Sequence, residues 1–259
     1  MRMLLLPLLA TLAVAGCPGP QKAPEDLDGL ARFLFDRFDP TDVDATTSDS
    51  ELADAFTKLD VTVHGDAVTD PQKGVLANIT QAELDTVGVT ADPDVPQGIF
   101  IIDVVHCSVK RLKEIILEPD QLSLYTDAYA AYARTFDPDR PATLPTWSAT
   151  YTSAENALFT NQFTTTVKSG MRVLPDDRLV TRVFMPAPAT WESEGAQFTQ
   201  DYQTEAFYPR KPGELVHFYA MWRYMSFGAV GDSRSGLFID QTTSALVDWD
   251  TKTDALCAQ

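Results

Sequence analysis

From Trp147 onward the side-chain period changes from about 3.6 to 2, and this period constrains the fold more than any other feature of the chain. Side chains of a β-strand alternate between two faces, so a period of two over runs of this length demands a sheet. Phe163, Thr165, Val167, Ser169, Met171 and Val173 alternate with Thr164, Thr166, Lys168 and Arg172. Pro175-Asp176-Asp177 then makes a turn, and Leu179 to Met185 is the return strand. Phe198, Tyr202, Ala206 and Tyr208 alternate with Gln197, Thr199, Asp201, Gln203 and Glu205, the pattern of a strand with one wet face. Arg210-Lys211-Pro212-Gly213 turns the chain into Glu214–Phe227, which carries aromatic side chains on both faces. Long strands joined by tight turns in sequence order predict an antiparallel meander.

The segments on either side are helical or mixed. "GIFIIDVVHC", Gly98 to Cys107, is β-branched and apolar on both faces, as a buried strand should be. In "SVKRLKEIILEP" Val109, Leu112, Ile115 and Ile116 fall on one helical face behind a serine cap, and "DQLSLYTDAYAAYARTF" reads as a second helix. Near the end, Phe238, Thr242, Ala245, Trp249 and Leu256 fit steps of three and four, while Leu237, Ile239 and Val247 also permit a strand. Periodicity alone leaves both open there.

Before residue 97 the chain is acidic. Residues 24–98 hold 17 acidic and 4 basic residues, against 20 and 14 in residues 99–259. Leu27, Leu30, Ala31, Leu34, Phe35 and Phe38 form one helical stripe that Pro40 ends. Ser48 and Glu51 have the spacing of a capping box before Leu52, Ala53, Phe56 and Leu59, and a third short helix is predicted from Thr80 with Glu83 three residues on. The stretch "TADPDVPQG", Thr90 to Gly98, is the expected boundary, giving an acidic helical region over 25–96 and an α+β body over 97–259. The aspartates Asp39, Asp42, Asp44 and Asp49 do not make a calcium loop: counted from Asp42, Thr47 stands where the turn glycine belongs and Ala53 where the bidentate glutamate belongs. A formal net charge of −17 excludes nucleic-acid binding, which needs clustered Lys and Arg.

The N-terminus has the order of an export signal: Arg2, an apolar run from Met3 to Ala15, then small residues. Val14-Ala15-Gly16-Cys17 resembles the lipobox of bacterial lipoproteins. That resemblance implies a signal peptide over 1–16, cleaved before a Cys17 that carries diacylglycerol and an acylated amino terminus. Several acyl chains on one residue give lasting attachment. Pro18-Gly19-Pro20 and the residues to 24 then read as a spacer. The expected location is the bacterial envelope, lipid-anchored, with the outer membrane favoured because position 18 is not aspartate. Export places the two remaining cysteines, Cys107 and Cys257, in an oxidising compartment, where they are expected to pair.

From residue 97 on, the order of strand, two short helices, long antiparallel strands and a closing segment resembles the START-like, polyketide-cyclase-like helix-grip domains. The resemblance implies an α+β fold in which an antiparallel meander curls around a C-terminal helix, here Ile239 to Cys257, and encloses an apolar cavity. It also implies that Cys107, ending the first strand, and Cys257, ending the last helix, meet. The acidic helical front is additional to that family's pattern, and the closing helix is unusually polar and threonine-rich.

Candidate chemistry is sparse. "GDSRSG", Gly231 to Gly236, is similar to serine-hydrolase signatures, yet Arg234 and Ser235 replace the glycines of the protease motif and no histidine follows His217 to serve an esterase. His64, His106 and His217 lack metal-ligand spacing, and no metal or cofactor is expected. On the strand Glu214–Phe227, His217, Tyr219, Met221, Arg223 and Met225 share one face and Phe218, Trp222 and Tyr224 the other. A histidine and an arginine among large apolar side chains are costly unless they are paired or line a wet pocket. The expected ligand-binding residues are therefore His217, Tyr219, Arg223 and Trp222, with Tyr202 and Tyr208 on the neighbouring strand completing the wall; pairing of Arg223 with Asp103 is the plainer alternative. The functional expectation is a membrane-tethered, non-enzymatic lipoprotein whose body holds or carries an apolar small molecule. A scaffolding lipoprotein docking a basic partner through its acidic front is the alternative, and a hydrolase acting through Ser233 comes third.

Overall fold

The computed structural model describes residues 20–39, 45–154, 162–191, 195–228 and 231–259; the signal segment and Cys17 lie outside them. In chain order the elements are α1 (Leu27–Asp36), α2 (Ala45–Val63), β1 (Gln72–Leu76), α3 (Gln81–Thr86), β2 (Gln97–Val105), α4 (Val109–Leu117), α5 (Gln121–Leu124) and β3 (Tyr129–Phe136). They continue with β4 (Thr146–Ser153), β5 (Phe163–Leu174), β6 (Arg178–Phe184), β7 (Thr190–Trp191), β8 (Ala196–Lys211), β9 (Glu214–Phe227) and α6 (Gly236–Cys257). The strands form one antiparallel sheet in the order β1-β2-β9-β8-β6-β5-β4-β3, with β7 paired to β5. The architecture is α+β, an antiparallel meander gripping its C-terminal helix, as the resemblance implies.

The period-two pattern explains the layers. On the outer face of the sheet, Tyr202, Ala206, Phe218, Ala220 and Trp222 pack against Leu30, Leu34 and Phe35 of α1 and Leu52, Phe56 and Leu59 of α2. On the inner face, Val167, Met171, Leu179, Phe207 and Leu215 meet Leu112 and Val109 of α4, and Ile99, Ile101, Tyr219 and Met221 meet Ile239, Leu246 and Val247 of α6. Gly170 of β5 is a close approach: a Cβ there would stand 2.6 Å from the ring of Phe38, so only glycine lets the end of the front layer seat on the sheet. Cys107 and Cys257 form a disulfide with their Cα atoms 5.4 Å apart, joining the end of β2 to the end of α6.

Four local expectations change. The second helix after β2 is confined to Gln121–Leu124, and the alanine- and tyrosine-rich run that follows is strand β3, paired to β4 with an irregularity between Tyr129 and Ala131. Pairing to a neighbour overrides the helical propensity of its alanines. Ser48 and Glu51 are not a cap, because α2 begins at Ala45. Both are buried inside the helix, where Ser48 accepts a 2.7 Å hydrogen bond from Arg172 Nη1 and Glu51 accepts one from the backbone of Gln21. The box at Thr80 and Glu83 does form. The acidic front is not all helical, since β1 pairs residue by residue with β2 and belongs to the sheet. Finally, the spacer is partly docked: Gln21 and Ala23 donate backbone hydrogen bonds to Glu51 and Asp54, and Lys58 donates to the Ala23 carbonyl. Of the four aspartates weighed for calcium, Asp39 pairs with Arg140 and Asp49 with Arg172, while Asp42 and Asp44 lie outside the described residues.

Candidate functional site

A cavity of about 370 Å³ lies between the inner face of the sheet and α6. Thr242, Ala245, Leu246, Trp249 and Asp250 of α6 face it, at the three- and four-residue steps of one helical stripe. The aromatic part of its wall comes from Tyr125 after α5, Tyr129 and Tyr132 of β3, and Trp147 and Tyr151 of β4. Tyr125 stacks on Trp249 at 3.9 Å between centroids, and Tyr129 meets the edges of Trp249 and Tyr151 at 6.3 and 5.3 Å. Arg134 lies over the Trp147 ring and donates to the Ile116 carbonyl, closing that end.

The remaining wall is polar and held by ion pairs and hydrogen bonds. Arg223 donates two 3.0 Å hydrogen bonds to Asp201, a carboxylate with no solvent exposure. Gln203 Nε2 donates to the same carboxylate at 2.6 Å, and Gln203 Oε1 accepts from the Tyr219 hydroxyl at 2.6 Å. Burial disfavours the charge on Arg223, but Asp201 outweighs it and holds the guanidinium more firmly protonated than usual. One step along β9, His217 Nδ1 lies 2.9 Å from both oxygens of Asp250, so that sheet and helix meet through this pair. His217 Nε2 faces Glu205 Oε2 at 3.4 Å, and its ring stacks on Phe207. Burial again opposes the charge, yet Asp250 and Glu205 prevail and push the histidine up to about 10, making it an imidazolium at neutral pH.

Not every polar group is used. The hydroxyls of Tyr129 and Tyr151 take no hydrogen-bond partner among the described residues, and burial pushes both phenols up, so each keeps its proton. The site thus combines ring surfaces, the neutral Arg223–Asp201 pair, a His217 cation between the carboxylates of Asp250 and Glu205, and open hydroxyl groups.

His217, Tyr219 and Arg223 line this cavity. Trp222, Tyr202 and Tyr208 do not: they stand on the outer face, where Tyr202 and Trp222 meet the edge of Phe35, Tyr208 meets Phe56, and the Trp222 indole donates to the Ala77 carbonyl. Arg223 pairs with Asp201 and not with Asp103. The wet face of β8 is this cavity wall, covered by α6, so Gln203 and Glu205 line the site and Asp201 stands behind Arg223 and Gln203, all three being residues that the sequence reading assigned to solvent. Ser233 is bound to backbone: its hydroxyl donates to the Arg223 carbonyl and accepts from Met225 N–H, while His217 and His106 engage Asp250 and Asp254. Among the described residues no group of three His, Cys, Asp or Glu is arranged to hold a metal ion, and no helix is long and apolar enough to cross a membrane.

The chain matches no protein-family model and no curated protein. Among solved structures it is similar to the human StarD13 (DLC2) lipid transfer and protein localization domain, at 12% identity and a TM-score of 0.47, over 74% of this chain and 86% of that one. It is similar to human StAR-related lipid transfer protein 5, at 7% identity and a TM-score of 0.44, over 83% of this chain and 98% of that one. A STAR-related lipid transfer protein from Xanthomonas axonopodis aligns at 10% identity and a TM-score of 0.42, over 74% of this chain and 93% of that one.

Proposed function

We propose that the protein binds a compact amphipathic molecule beneath α6, and that it does so at the bacterial envelope membrane to which Cys17 anchors it. The cavity carries this reading. Its volume of about 370 Å³ stands near the low end of the roughly 300 to 1,000 Å³ typical of small-molecule sites. Ring surfaces take the apolar part of such a molecule, and the unbonded hydroxyls of Tyr129 and Tyr151 take its polar part. With Arg134, His217 and Arg223 balancing Asp201, Glu205 and Asp250, the site favours a ligand without a full charge. Binding or carriage, with no chemical step, is the reading that uses every group described.

The test is uptake of the neutral fluorescent probe N-phenyl-1-naphthylamine by the purified protein. Saturable binding at one site is expected, weakened at least tenfold by Ala245→Trp, which fills the cavity from its helical side. Absence of saturable uptake, or uptake unaffected by that substitution, overturns the reading. For the anchor, Cys17→Ser is expected to move the protein from the membrane fraction to the soluble fraction of the producing cells.

A further inference from the structure

A second groove, of about 510 Å³, opens on the outer face of the sheet, across from the cavity. Its floor is Ser148 of β4, Lys168 and Gly170 of β5 and Arg182 of β6, with Ser148 directly opposite Lys168 and Gly170 opposite Arg182. Asp39 following α1 and Arg140 between β3 and β4 form its rim.

The charges in this groove do not balance. Arg182 is nine-tenths buried, lies over the rings of Phe38 and Phe35 at 4.8 and 5.7 Å, and donates to the Phe35 carbonyl at 3.3 Å. Its Nη2 stands 3.9 Å from Asp39 Oδ2, an oxygen that Arg140 already grips at 2.5 Å. One carboxylate therefore serves two guanidinium groups. Asp36 attracts Arg182 through space but is paired to Arg37 at 3.1 Å. Asp137 stands 4.0 Å from Arg140, and Lys168 is exposed with no ion-pair partner among the described residues. Counting Arg140, Arg182 and Lys168 against Asp39 and Asp137, the groove keeps a positive excess among the described residues of a chain whose net charge is −17. Burial prevails over the acidic neighbours of Arg182 and lowers its pKa to about 10, the mark of a buried cation short of countercharge. Such a cation is destabilising until an anion meets it.

We propose that this groove is an anion site, taking a small free carboxylate or phosphate between Arg182 and Lys168 with the Ser148 hydroxyl as a further donor. Anionic membrane surfaces are disfavoured as the source because the rest of the molecule repels them.

The experiment titrates inorganic phosphate and, separately, acetate into the purified protein at constant ionic strength, with chloride as reference. Calorimetry and the side-chain ¹⁵Nε resonance of Arg182 are the readouts. Saturable binding that moves the Arg182 resonance is expected, with the dissociation constant raised at least threefold by Lys168→Ala, a substitution at an exposed position. Arg182→Gln is expected to abolish it, and Ala245→Trp on the other side of the sheet to leave it unchanged. A response to both anions no larger than that to chloride overturns the proposal. So does binding that is unaltered by Lys168→Ala and leaves the Arg182 resonance in place. Neither result bears on the cavity beneath α6.

Discussion

His217 is where the charge network reaches from sheet to helix, and its raised pKa makes stability depend on pH in a defined direction. The free imidazole titrates near 6.5, whereas in the folded chain the value is about 10. Between these values the folded state binds the extra proton and the unfolded state does not, so stability falls as pH rises through that window. The contribution is fully present below about pH 6.5 and lost above about pH 10. Urea denaturation across this range is expected to show the decline, and Asp250→Asn to flatten it; an unchanged slope in that variant would show that the pair does not hold the proton. At this scale the sequence was partly legible. A histidine and an arginine on one face of β9 announced a polar site, but their partners were hidden by register. Counting back from Lys211 opposite Glu214 sets Arg223 opposite Tyr202, whereas the irregularity between Pro209 and Lys211 slips the pairing by one and sets Asp201 there. That single slip sends Tyr202 to the outer core opposite Trp222, sets Asp201 behind Arg223, and brings Gln203 and Glu205 to the cavity.

Element by element, α6 has the most to explain, because its composition is poorly amphipathic for a helix that closes a core. Its buried positions include Asp250, Thr243 and Thr253, and they are polar because what they meet is polar: His217 for Asp250 and the Tyr125 hydroxyl for Thr253. The C-terminal end of the helix is held by the disulfide, by the Asp254 contacts to His106 and by Lys252 on Asp127. Replacing Cys107 and Cys257 by serine removes a crosslink spanning 150 residues and is expected to cost about 5 kcal/mol in chemical denaturation, the chain-entropy value for a loop of that size. An effect below about 1 kcal/mol would mean that the neighbouring contacts alone hold the helix end. Strands β5, β6 and β9 were readable to within a residue or two because one period governs each, while β8 runs three residues past the alternation into the expected turn. Strand β3 was not, since four alanines in "AYAAYA" and its surroundings favour a helix until a partner strand is supplied.

Across the whole molecule, the sheet is the shared floor of two cores, and the acidic front is the roof of one of them. Cutting the chain at the proline-rich stretch near residue 95 would remove β1 from the sheet edge and uncover Trp222, Tyr202, Phe218 and Tyr208 together. Deletion of residues 24–95 is therefore expected to give an insoluble or molten product. Recovery of a soluble body with a cooperative melting transition would show that the front is dispensable to folding. Composition and periodicity made the front recognisable as helices with acidic outer faces. That those helices cover the sheet depends on contacts such as Arg172 with Ser48 and Asp49, which join residues more than a hundred positions apart and leave no local signature.

The docked backbone of Gln21 and Ala23 sets a length scale for the anchor proposed at Cys17. A chain acylated at Cys17 has four residues, Cys17 to Pro20, before the first of these hydrogen bonds, a reach of roughly 14 Å at full extension. The headgroup layer on each side of a bilayer takes up about half of that. With the proposed anchor in place, the body would be a short-leashed resident of one leaflet, suited to exchanging a molecule with the bilayer that held it and too closely moored to ferry one across to a facing membrane.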